Sequence, residues 1–412
     1  MKRASIVTIG NEILSGQTVD TNAAYLSGNL LSIGIPVVSS YTVGDDVDLI
    51  AQGLERACND GDVVLATGGL GPTDDDLTRQ AMARFLGTEL QFHDELLKKI
   101  RQFFVRRNVK MSTKNRVQAY LPAGTRALPN HVGTAPGIMA EVKGKLVFAL
   151  PGVPCEMQEM FEQAVLDRLK ALAAEQAIVV RKLRCFGTGE SNIAELIGPF
   201  MQRGRNPLVN CTTDCGVITL HIIAASKDKS QALEVARTEE ESLRNVLGDL
   251  IYGTDDQTLA EVVGQRLGRQ KKTLAVAESC TGGVLAKLIT DVPGASRYFT
   301  HGWVTYSNPA KIMELGVDAS LIDKYGSVSE QVALAMARGA RKRAQADFAI
   351  GITGIAGPAG GTEQKPVGLV YIGVDSDGGT ETKRFIMSGD RGSIRLRAAK
   401  NALNILRLTL HI

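Results

Sequence analysis

Apolar runs of four to seven residues alternate with longer amphipathic segments through the first 172 residues. The runs predict strands at 5–9, 36–42, 62–67 and 146–149. The amphipathic segments predict helices at 21–33, 47–58, 76–86 and 156–174. Strands and helices that alternate at these lengths are typical of a parallel sheet covered on both faces. The sequence therefore predicts an α/β first domain over residues 1–172.

The pattern changes after this domain and then returns to alternation. Strands are predicted at 179–186, 208–213, 217–224 and 250–252, with helices at 191–201 and 231–247. These elements describe a small α+β linker domain over 173–253, below the modal domain size. Beyond it, strands are predicted at 273–278, 302–305, 348–353, 368–374 and 381–387, with helices at 259–269, 284–290, 329–345 and 391–408. Residues 254–412 are therefore a second α/β domain.

Composition and charge argue against nucleic-acid binding, a membrane span and secretion. The net charge is only +3, and the basic runs 101–110 and 338–343 alternate with apolar residues as solvated helix faces do. We therefore predict no direct nucleic-acid partner. No stretch approaches the roughly 20 apolar residues of a membrane span, and no secretion signal follows Lys2 and Arg3. Six scattered cysteines, with no metal or redox spacing at Cys211 and Cys215, indicate a cytoplasmic protein.

A candidate nucleophile lies in the last domain, where strand 273–278 stops at Ser279, Cys280 and Thr281. Gly282 and Gly283 then lead into helix 284–290. The start of that helix offers N–H groups that can hold an oxyanion or a phosphate. Ser279 or Thr281 acting only as a helix cap, with glycines for close packing, is the alternative.

Other polar groups follow neighbouring strands of the same predicted sheet. Tyr306 and Lys311 lie in a predicted polar loop and can act as base or proton relay, and Thr353 ends a further strand. Since His301 is the nearest histidine, activation would be of a Ser–Lys or Ser–Tyr type, in which burial lowers the lysine pKa. Anion binding by Lys311 remains open, as does a nucleophilic or purely structural role for Cys280.

Three motifs in this domain carry a family resemblance: Ala277–Gly283, Val304–Asn308 and Gly351–Pro358. They resemble the nicotinamide mononucleotide amidohydrolase family, over about residues 255–412. The resemblance implies hydrolysis of the nicotinamide carboxamide to ammonia and nicotinate mononucleotide, without a cofactor. It implies Ser279 as nucleophile, with Tyr306, Lys311 and Thr353 in the active site, and an arginine within 391–395 near the phosphate. The expected substrate contacts are Gly282, Gly283, Gly354, Gly357 and Arg391.

A second constellation lies in the first domain, where a glycine loop follows strand 62–67. The loop contains Gly68, Gly69, Gly71 and Thr73, and then Asp74, Asp75 and Asp76. Glycines let a backbone approach a phosphate, and carboxylates are ligands for a divalent cation. The alternative is that the aspartates only cap the following helix.

Further segments at strand ends resemble the molybdopterin-binding fold: Gly10–Gly16, Asp20–Asn22, Asp45–Asp46 and Leu150–Met157. Leu70 replaces the usual threonine of that fold, and this departure resembles the CinA-type branch. That branch implies a divalent ion of the Mg, Mn or Co class and hydrolysis of ADP-ribose to AMP and ribose 5-phosphate. The expected metal ligands are Asp45, Asp75 and Asp76. The expected substrate contacts are Gly68, Gly69, Gly71, Thr73, Asn11, Glu12 and Asn22.

The middle domain resembles the KH-type insert of the CinA family, which the chain matches over essentially its whole length. The loop 203–207 has a single glycine where a nucleic-acid-binding KH module has two, so we interpret the domain as structural. The sequence thus predicts a bifunctional, homodimeric pyridine-nucleotide salvage enzyme acting on small nucleotides. A nucleotide sensor or scaffold without turnover and a molybdopterin adenylyl-transfer protein are the alternatives.

Overall fold

The computed structural model describes residues 2–173 and 177–410. The chain divides into two compact units, Met1–Val179 with Ala224–Glu234 and Val180–Ile223 with Val235–Ile412. Both are mixed α/β structures, as predicted. Within the described ranges, none of the helices combines the length and the apolar composition needed to cross a membrane.

The first unit is built on a six-stranded sheet. The strands of this unit, six in the main sheet and two in a separate pair, are β1 (Ala4–Ile9), β2 (Val37–Val43), β3 (Val63–Thr67), β4 (Leu90–Phe92), β5 (Tyr120–Pro122), β6 (Arg126–Leu128), β7 (Gly137–Val142) and β8 (Lys145–Leu150). Its α-helices are α1 (Asn11–Leu14), α2 (Thr21–Ser32), α3 (Val47–Asp60), α4 (Thr78–Leu86), α5 (Asp94–Arg106), α6 (Pro154–Met160) and α7 (Leu166–Leu172). The sheet order is β2-β1-β3-β8-β7-β6, and β4 and β5 form a separate pair.

The four strands predicted for this sheet are parallel, and two further strands that were not predicted extend it as antiparallel strands. Strands β2, β1, β3 and β8 are parallel, whereas β7 is antiparallel to both β8 and β6. The tight turn at Lys143 and Gly144, both with positive φ, folds β7 back onto β8. A two-residue turn of this kind requires antiparallel neighbours. Strands β4, β5 and β6 have only three residues each, too few for the hydrophobic pattern to indicate them, and the six-residue strand β7 was also not predicted.

Both faces of the sheet are covered by apolar packing. Successive residues of β1 alternate between the faces, so that Ile6 packs with Leu26 and Phe161 while Val7 packs with Ile50. The predicted helix 156–174 begins instead at Pro154 and is interrupted by a π-helical turn at Phe161–Val165. Its described part ends with α7, and position 174 lies outside the described residues.

The second half of the chain carries the remaining two sheets. The middle segment contains β9 (Ala177–Cys185), α8 (Glu190–Leu196), β10 (Leu208–Asp214), β11 (Val217–Ser226), α9 (Lys229–Leu247) and β12 (Ile251–Thr254). The last segment contains α10 (Leu259–Gln270), β13 (Leu274–Glu278), α11 (Val284–Thr290), β14 (Phe299–Val304), α12 (Asn308–Leu315), α13 (Ala319–Tyr325), α14 (Glu330–Ala344), β15 (Phe348–Gly354), β16 (Leu369–Ser376), β17 (Gly379–Ile386) and α15 (Arg391–Thr409). The middle sheet has the order β10-β11-β9-β12.

The five-stranded sheet of the last segment has the order β14-β13-β15-β16-β17. Its first three strands are parallel, and β16 and β17 complete it as antiparallel strands. The carboxyl ends of β14, β13 and β15 therefore lie side by side at one edge. In open α/β sheets this edge is where ligands bind.

Candidate active site

Ser279 is fixed by the two strands that flank β13. Its backbone N–H donates to the carbonyl of Ile352 at 2.9 Å, and Thr305 N–H donates to the carbonyl of Glu278 at 2.8 Å. The serine is only 8% exposed. The ends of three parallel strands thus hold the Ser279 backbone in one position.

Lys311 lies against this serine. Its ammonium nitrogen Nζ is 3.0 Å from Ser279 Oγ and 2.9 Å from the carbonyl oxygen of Thr305, and the residue is 2% exposed. The predicted polar loop around Lys311 is wrong, since the residue lies in the first turn of α12. Ser307 caps that helix by accepting from Ala310 N–H at 3.2 Å, and Pro309 lies in its first turn, where a missing N–H costs no hydrogen bond. The helix turns Lys311 inward, toward the end of β13.

The surroundings favour a neutral amine at Lys311. Burial lowers the pKa of Lys311 below the ordinary lysine value, and both of its hydrogen-bond partners are uncharged. A neutral amine can donate to the Thr305 carbonyl and accept the hydroxyl proton of Ser279. The neighbouring thiol behaves differently, because burial raises the pKa of Cys280 to about 12. Cys280 therefore stays protonated and is a poor nucleophile.

The backbone N–H groups at the start of α11 already have hydrogen-bond acceptors, contrary to the prediction that they are unpaired. The buried carboxylate of Glu278 accepts from Gly283, Leu285 and Ala286 N–H at 2.8 to 3.0 Å, and Gly282 N–H donates to Ser279 O at 3.1 Å. Gly282 and Gly283 therefore shape the turn, both with positive φ, and their N–H groups are not free for an oxyanion. The sequence offered one indication of this role for Glu278, namely a carboxylate that shortly precedes a predicted helix.

The other predicted groups surround the Ser279–Lys311 pair without touching it. Tyr306 is 59% exposed, and its hydroxyl accepts from Arg391 Nη2 at 2.7 Å. The second Arg391 nitrogen, Nη1, donates to the carbonyl of Gly357 at 2.8 Å. Thr353 donates its hydroxyl to Ser327 O at 2.7 Å. Tyr306 and Thr353 are therefore not bonded to Ser279, which leaves Lys311 as its polar side-chain partner.

Arg395 is a site residue that the sequence did not single out. Its guanidinium donates twice to the carbonyl of Thr281, at 3.0 and 2.7 Å, directly beyond the nucleophile. Across the described ranges, neither Arg391 nor Arg395 forms an ion pair with a carboxylate. Both guanidinium groups therefore keep donors for an anion. Gly354, also predicted here, ends β15, and a Cβ at this position would lie 2.7 Å from the carbonyl oxygen of Leu369.

The first unit holds a separate cavity of about 410 Å³ at the ends of β1, β3 and β8. The predicted residues that line it are Glu12, Asp45, Gly68, Gly69, Gly71, Asp75 and Asp76. Gln118, Thr134, Gly152 and Glu156 also line it but were not predicted. Glu156 lay within a segment that the pattern marked as a strand end, whereas Gln118 and Thr134 gave no signal.

The glycine loop is held by two charged side chains. Asp76 accepts from the N–H groups of Gly71 and Thr73 at 2.7 and 2.8 Å. Arg79 is 3% exposed, and its guanidinium donates to the carbonyls of Leu70 and Gly71 at 2.6 and 2.8 Å. Helix α4 therefore starts at Thr78, not at Asp76 as predicted, because Asp76 folds back to organise the loop.

Two residues predicted to contact the substrate, Asn11 and Asn22, instead form hydrogen bonds with residues around this cavity. Asn11 N–H donates to the Asp45 carboxylate at 2.9 Å. The amide of Asn22 is 7% exposed and donates to Thr67 Oγ1 at 3.0 Å and to Gly152 O at 2.8 Å. The Asn11 backbone and the Asn22 side chain thus hold residues of the cavity wall, and neither residue lines the cavity. Thr73 likewise does not line it, since its hydroxyl bonds to the loop carboxylates.

The carboxylates of the cavity do not form a closed metal cage. In residues 2–173 and 177–410, no three His, Cys, Asp or Glu side chains are grouped as a metal-binding set. Asp45 and Asp76 nevertheless face the same cavity. This donor set fits a hard cation such as Mg²⁺, which proteins commonly hold with one or two carboxylates plus substrate phosphates.

Comparisons with protein families cover almost the whole chain. The probable molybdopterin binding domain matches residues 5–171, the damage-inducible protein CinA KH domain matches 180–253, and the CinA C-terminal domain matches 256–410. The order of these families is the one expected from the sequence motifs.

Relatives match from end to end. A putative competence-damage inducible protein of Caldicellulosiruptor saccharolyticus is 44% identical over 99% of both chains. A CinA-like protein of Dictyoglomus thermophilum is 42% identical over 98% of both chains. A solved structure of CinA, of unknown function, from Thermoplasma acidophilum is 37% identical, covers 41% of this chain and 98% of its own, and has a TM-score of 0.39.

Proposed function

This chain belongs to the CinA family, and we propose that it is a bifunctional hydrolase of pyridine nucleotides. Its last segment would hydrolyse nicotinamide mononucleotide to nicotinate mononucleotide and ammonia. The observation that carries this proposal is the buried Lys311 amine 3.0 Å from Ser279 Oγ. A serine paired with a lysine of lowered pKa is one of the known arrangements for acyl transfer.

The proposed reaction needs one nucleophile and one base. Lys311 takes the hydroxyl proton of Ser279 while Oγ bonds to the carboxamide carbon. The C–N bond then breaks, and Lys311 gives that proton to the departing ammonia. Water attacks the resulting acyl-serine, Lys311 accepts a proton from the water and returns it to Ser279 Oγ, and the nicotinate product leaves. Lysine thus serves as base and as acid in each half of the reaction.

The two arginines of α15 supply the binding charge in this proposal. A mononucleotide carries a phosphate, and Arg391 and Arg395 present guanidinium donors bonded only to neutral oxygens. Guanidinium groups pair with phosphate oxygens through two parallel hydrogen bonds. Both residues lie within the 391–395 segment that the family resemblance associates with the phosphate.

The test is ammonia release from nicotinamide mononucleotide by the full chain. Ser279→Ala and Lys311→Met are each expected to reduce kcat/KM by about 10²- to 10⁴-fold or by more, since this range is the usual contribution of a positioned acid–base group. Lys324→Met, at an exposed lysine of α13, is the matched control and is expected to keep parent activity. Activity retained by Ser279→Ala but lost by Cys280→Ala would overturn the assignment. No release by the folded parent enzyme would favour the sensor alternative.

For the first unit, we propose metal-dependent hydrolysis of ADP-ribose to AMP and ribose 5-phosphate. The support is the cavity that joins a glycine loop with several carboxylates. Asp45 and Asp76 would hold a divalent cation together with the diphosphate oxygens. When bound, the ion would neutralise charge on the diphosphate. The loop glycines leave that wall free of side chains, which lets the diphosphate approach the backbone.

This second activity is tested by AMP formation from ADP-ribose with Mg²⁺, Mn²⁺ or Co²⁺ present. Asp45→Asn should abolish turnover, because the amide keeps an acceptor for Asn11 N–H but loses the charge. Asp74→Asn is the control, since the Asp74 side chain is 93% exposed and pairs with Lys114. Equal turnover by the parent and Asp45→Asn would contradict the proposal. An adenylated pterin product would instead support the adenylyl-transfer alternative.

A further inference from the structure

A second cavity, open to solvent on one side, lies in the last two segments and shares no lining residue with the Ser279 site. It is a cavity of about 220 Å³ at the junction of the middle sheet with α10, α15 and the end of α11. Strands β9, β11 and β12 contribute Arg184, Val217 and Tyr252, and α15 contributes Lys400 and Leu403. None of the residues assigned above to amide hydrolysis lines this cavity.

Two cationic side chains line the cavity with only neutral hydrogen-bond partners. Arg184 Nη1 donates to Thr219 Oγ1 at 2.9 Å, and its Nε donates to the Tyr252 hydroxyl at 3.3 Å. Lys400 Nζ is 3.3 Å from the carbonyl oxygen of Cys215. Throughout the described chain, neither cation is within ion-pair distance of a carboxylate. Both charges are therefore free to pair with an anion.

The carboxylates of the cavity wall are already occupied. Glu261 accepts from the backbone and hydroxyl of Thr258 in a capping box at the start of α10. Asp291 pairs with Lys287 on the surface of α11. Asp214 exerts an attraction on Lys400 but does not line the cavity. Within the described residues, none of these acids forms an ion pair with Arg184 or Lys400, so both cations keep donors for a ligand.

The two cations also act on each other. Burial lowers the pKa of Lys400, Cys215 and Asp214 act in the opposite direction, and the neighbouring Arg184 lowers the pKa by repulsion. Two like charges in a mostly apolar space are costly, and an anion placed between them removes that cost. The Tyr252 hydroxyl accepts from Arg184, which orients its own proton to donate to the same anion. Three donors thus converge on one cavity.

The remaining walls are apolar. Val217, Leu288, Val292 and Leu403 provide them, and Val217 and Leu403 are at least 95% buried. Small-molecule sites usually combine such walls with a few convergent polar groups. We propose that this cavity binds a small organic anion, a monocarboxylate with an aromatic or branched aliphatic body. The volume corresponds to roughly seven water molecules at about 30 Å³ each, which excludes a nucleotide.

Benzoate is the probe for this proposal, and its uncharged analogue benzamide is the matched ligand control. Isothermal titration of the full chain should show saturable benzoate binding, with benzamide at least tenfold weaker. Ser279→Ala should bind benzoate as the parent does, because the cavity is separate from that serine. This readout needs no turnover, so it succeeds or fails independently of the proposed hydrolase activities.

Two variants locate the binding. Lys400→Gln should weaken benzoate at least tenfold, whereas Arg397→Gln, which removes the same charge from α15 outside the cavity, should not. Val292→Phe fills the space without removing a charge and should also block binding. Thermal unfolding confirms that each variant is folded. Equal affinities for benzoate and benzamide, no saturable benzoate binding, or parent affinity in both Lys400→Gln and Val292→Phe would overturn the proposal.

Discussion

At the scale of single residues, the environment of Lys311 decides its chemistry. A lysine in water is protonated at neutral pH and cannot accept a proton. In this protein the side chain is buried and bonded to a hydroxyl and a carbonyl, neither of which carries the negative charge of a carboxylate partner. Its identity as a base therefore comes from burial.

A pH profile tests this environment. The folded pKa of Lys311 lies below the ordinary lysine value, so the amine becomes neutral at lower pH in the folded protein than in the unfolded chain. Between the folded and the unfolded pKa of Lys311, the unfolded chain binds a proton that the folded protein does not. The free energy of unfolding therefore increases as pH rises through this range. We expect kcat/KM for ammonia release to rise with pH and reach a plateau below the ordinary lysine pKa. A flat profile from about pH 6 to about pH 10 would contradict the base assignment.

Glu278 stabilises the turn after Ser279 by accepting hydrogen bonds from its backbone N–H groups. Its side chain is fully buried and accepts three backbone N–H groups of the turn that follows Ser279. The negative charge also lies at the positive end of α11. Glu278 is therefore a positioning residue for the nucleophile.

Substitution of Glu278 should cost both stability and activity. Glu278→Ala leaves three donors without an acceptor, and we expect the free energy of unfolding to fall by at least about 2 kcal/mol. Glu278→Gln keeps one acceptor oxygen and should lose less. Urea unfolding and ammonia release measure the two effects. Glu314→Ala, at an exposed carboxylate of α12, is the control, and an Ala variant at position 278 as stable as this control would refute the role.

At the scale of elements, the glycine loop shows how a short segment is fixed by close backbone contacts. Gly68 has a φ of +113°, and a Cβ there would lie 2.1 Å from the carbonyl oxygen of Ile9. Both the conformation and the space exclude a side chain. The loop between β3 and α4 is thus locked against the end of β1.

This loop predicts a large difference between two glycine substitutions. Gly68→Ala must move backbone, and we expect it to destabilise the first unit by at least about 2 kcal/mol and to abolish AMP formation. Gly28→Ala, in the middle of α2 with no atom within 4 Å of the added Cβ, should be neutral or stabilising by up to about 1 kcal/mol. Thermal unfolding of the two variants makes the comparison, and equal melting temperatures would show that the loop can relax.

At the scale of the whole molecule, the two proposed activities rest on separate residues in separate compact units. Asp45 and Asp76 belong to the first unit, and Ser279 and Lys311 belong to the second. Neither set lends a side chain to the other. The homodimer remains a prediction, which light scattering of the full chain would test.

Separate sites predict separate losses. Ser279→Ala should leave AMP formation from ADP-ribose within about twofold of the parent, and Asp45→Asn should leave ammonia release equally unchanged, because sites that share no residues have additive effects. Both reactions are measured on each variant and on the double variant. A loss of both activities in either single variant, with the fold retained, would show that the sites are coupled.

Much of the local structure followed from the hydrophobic pattern. Helix α11 was predicted with its observed bounds, and β1, β3, α3, α14 and α15 were predicted to within two residues. These elements have strong periodicity and sharp ends at polar or glycine residues. The pattern missed the three-residue strands β4, β5 and β6 and the longer strand β7, and helix α5 was recognised only as a basic face.

The sequence by itself determined the α/β class, the motif order and the residues that end the central strands, because periodicity and strand-end chemistry are local properties. It also placed Ser279 and Lys311 among the candidates. Only the tertiary structure decided that Lys311 reaches Ser279, that Tyr306 bonds to Arg391 instead, and that Glu278 occupies the start of α11. Those outcomes depend on which strands lie side by side and on which side chains are closed off from water. The Lys311–Ser279 and Arg391–Tyr306 contacts join residues 32 and 85 positions apart and carry no periodic signal along the chain, and the Glu278 contacts depend on the turn geometry after β13.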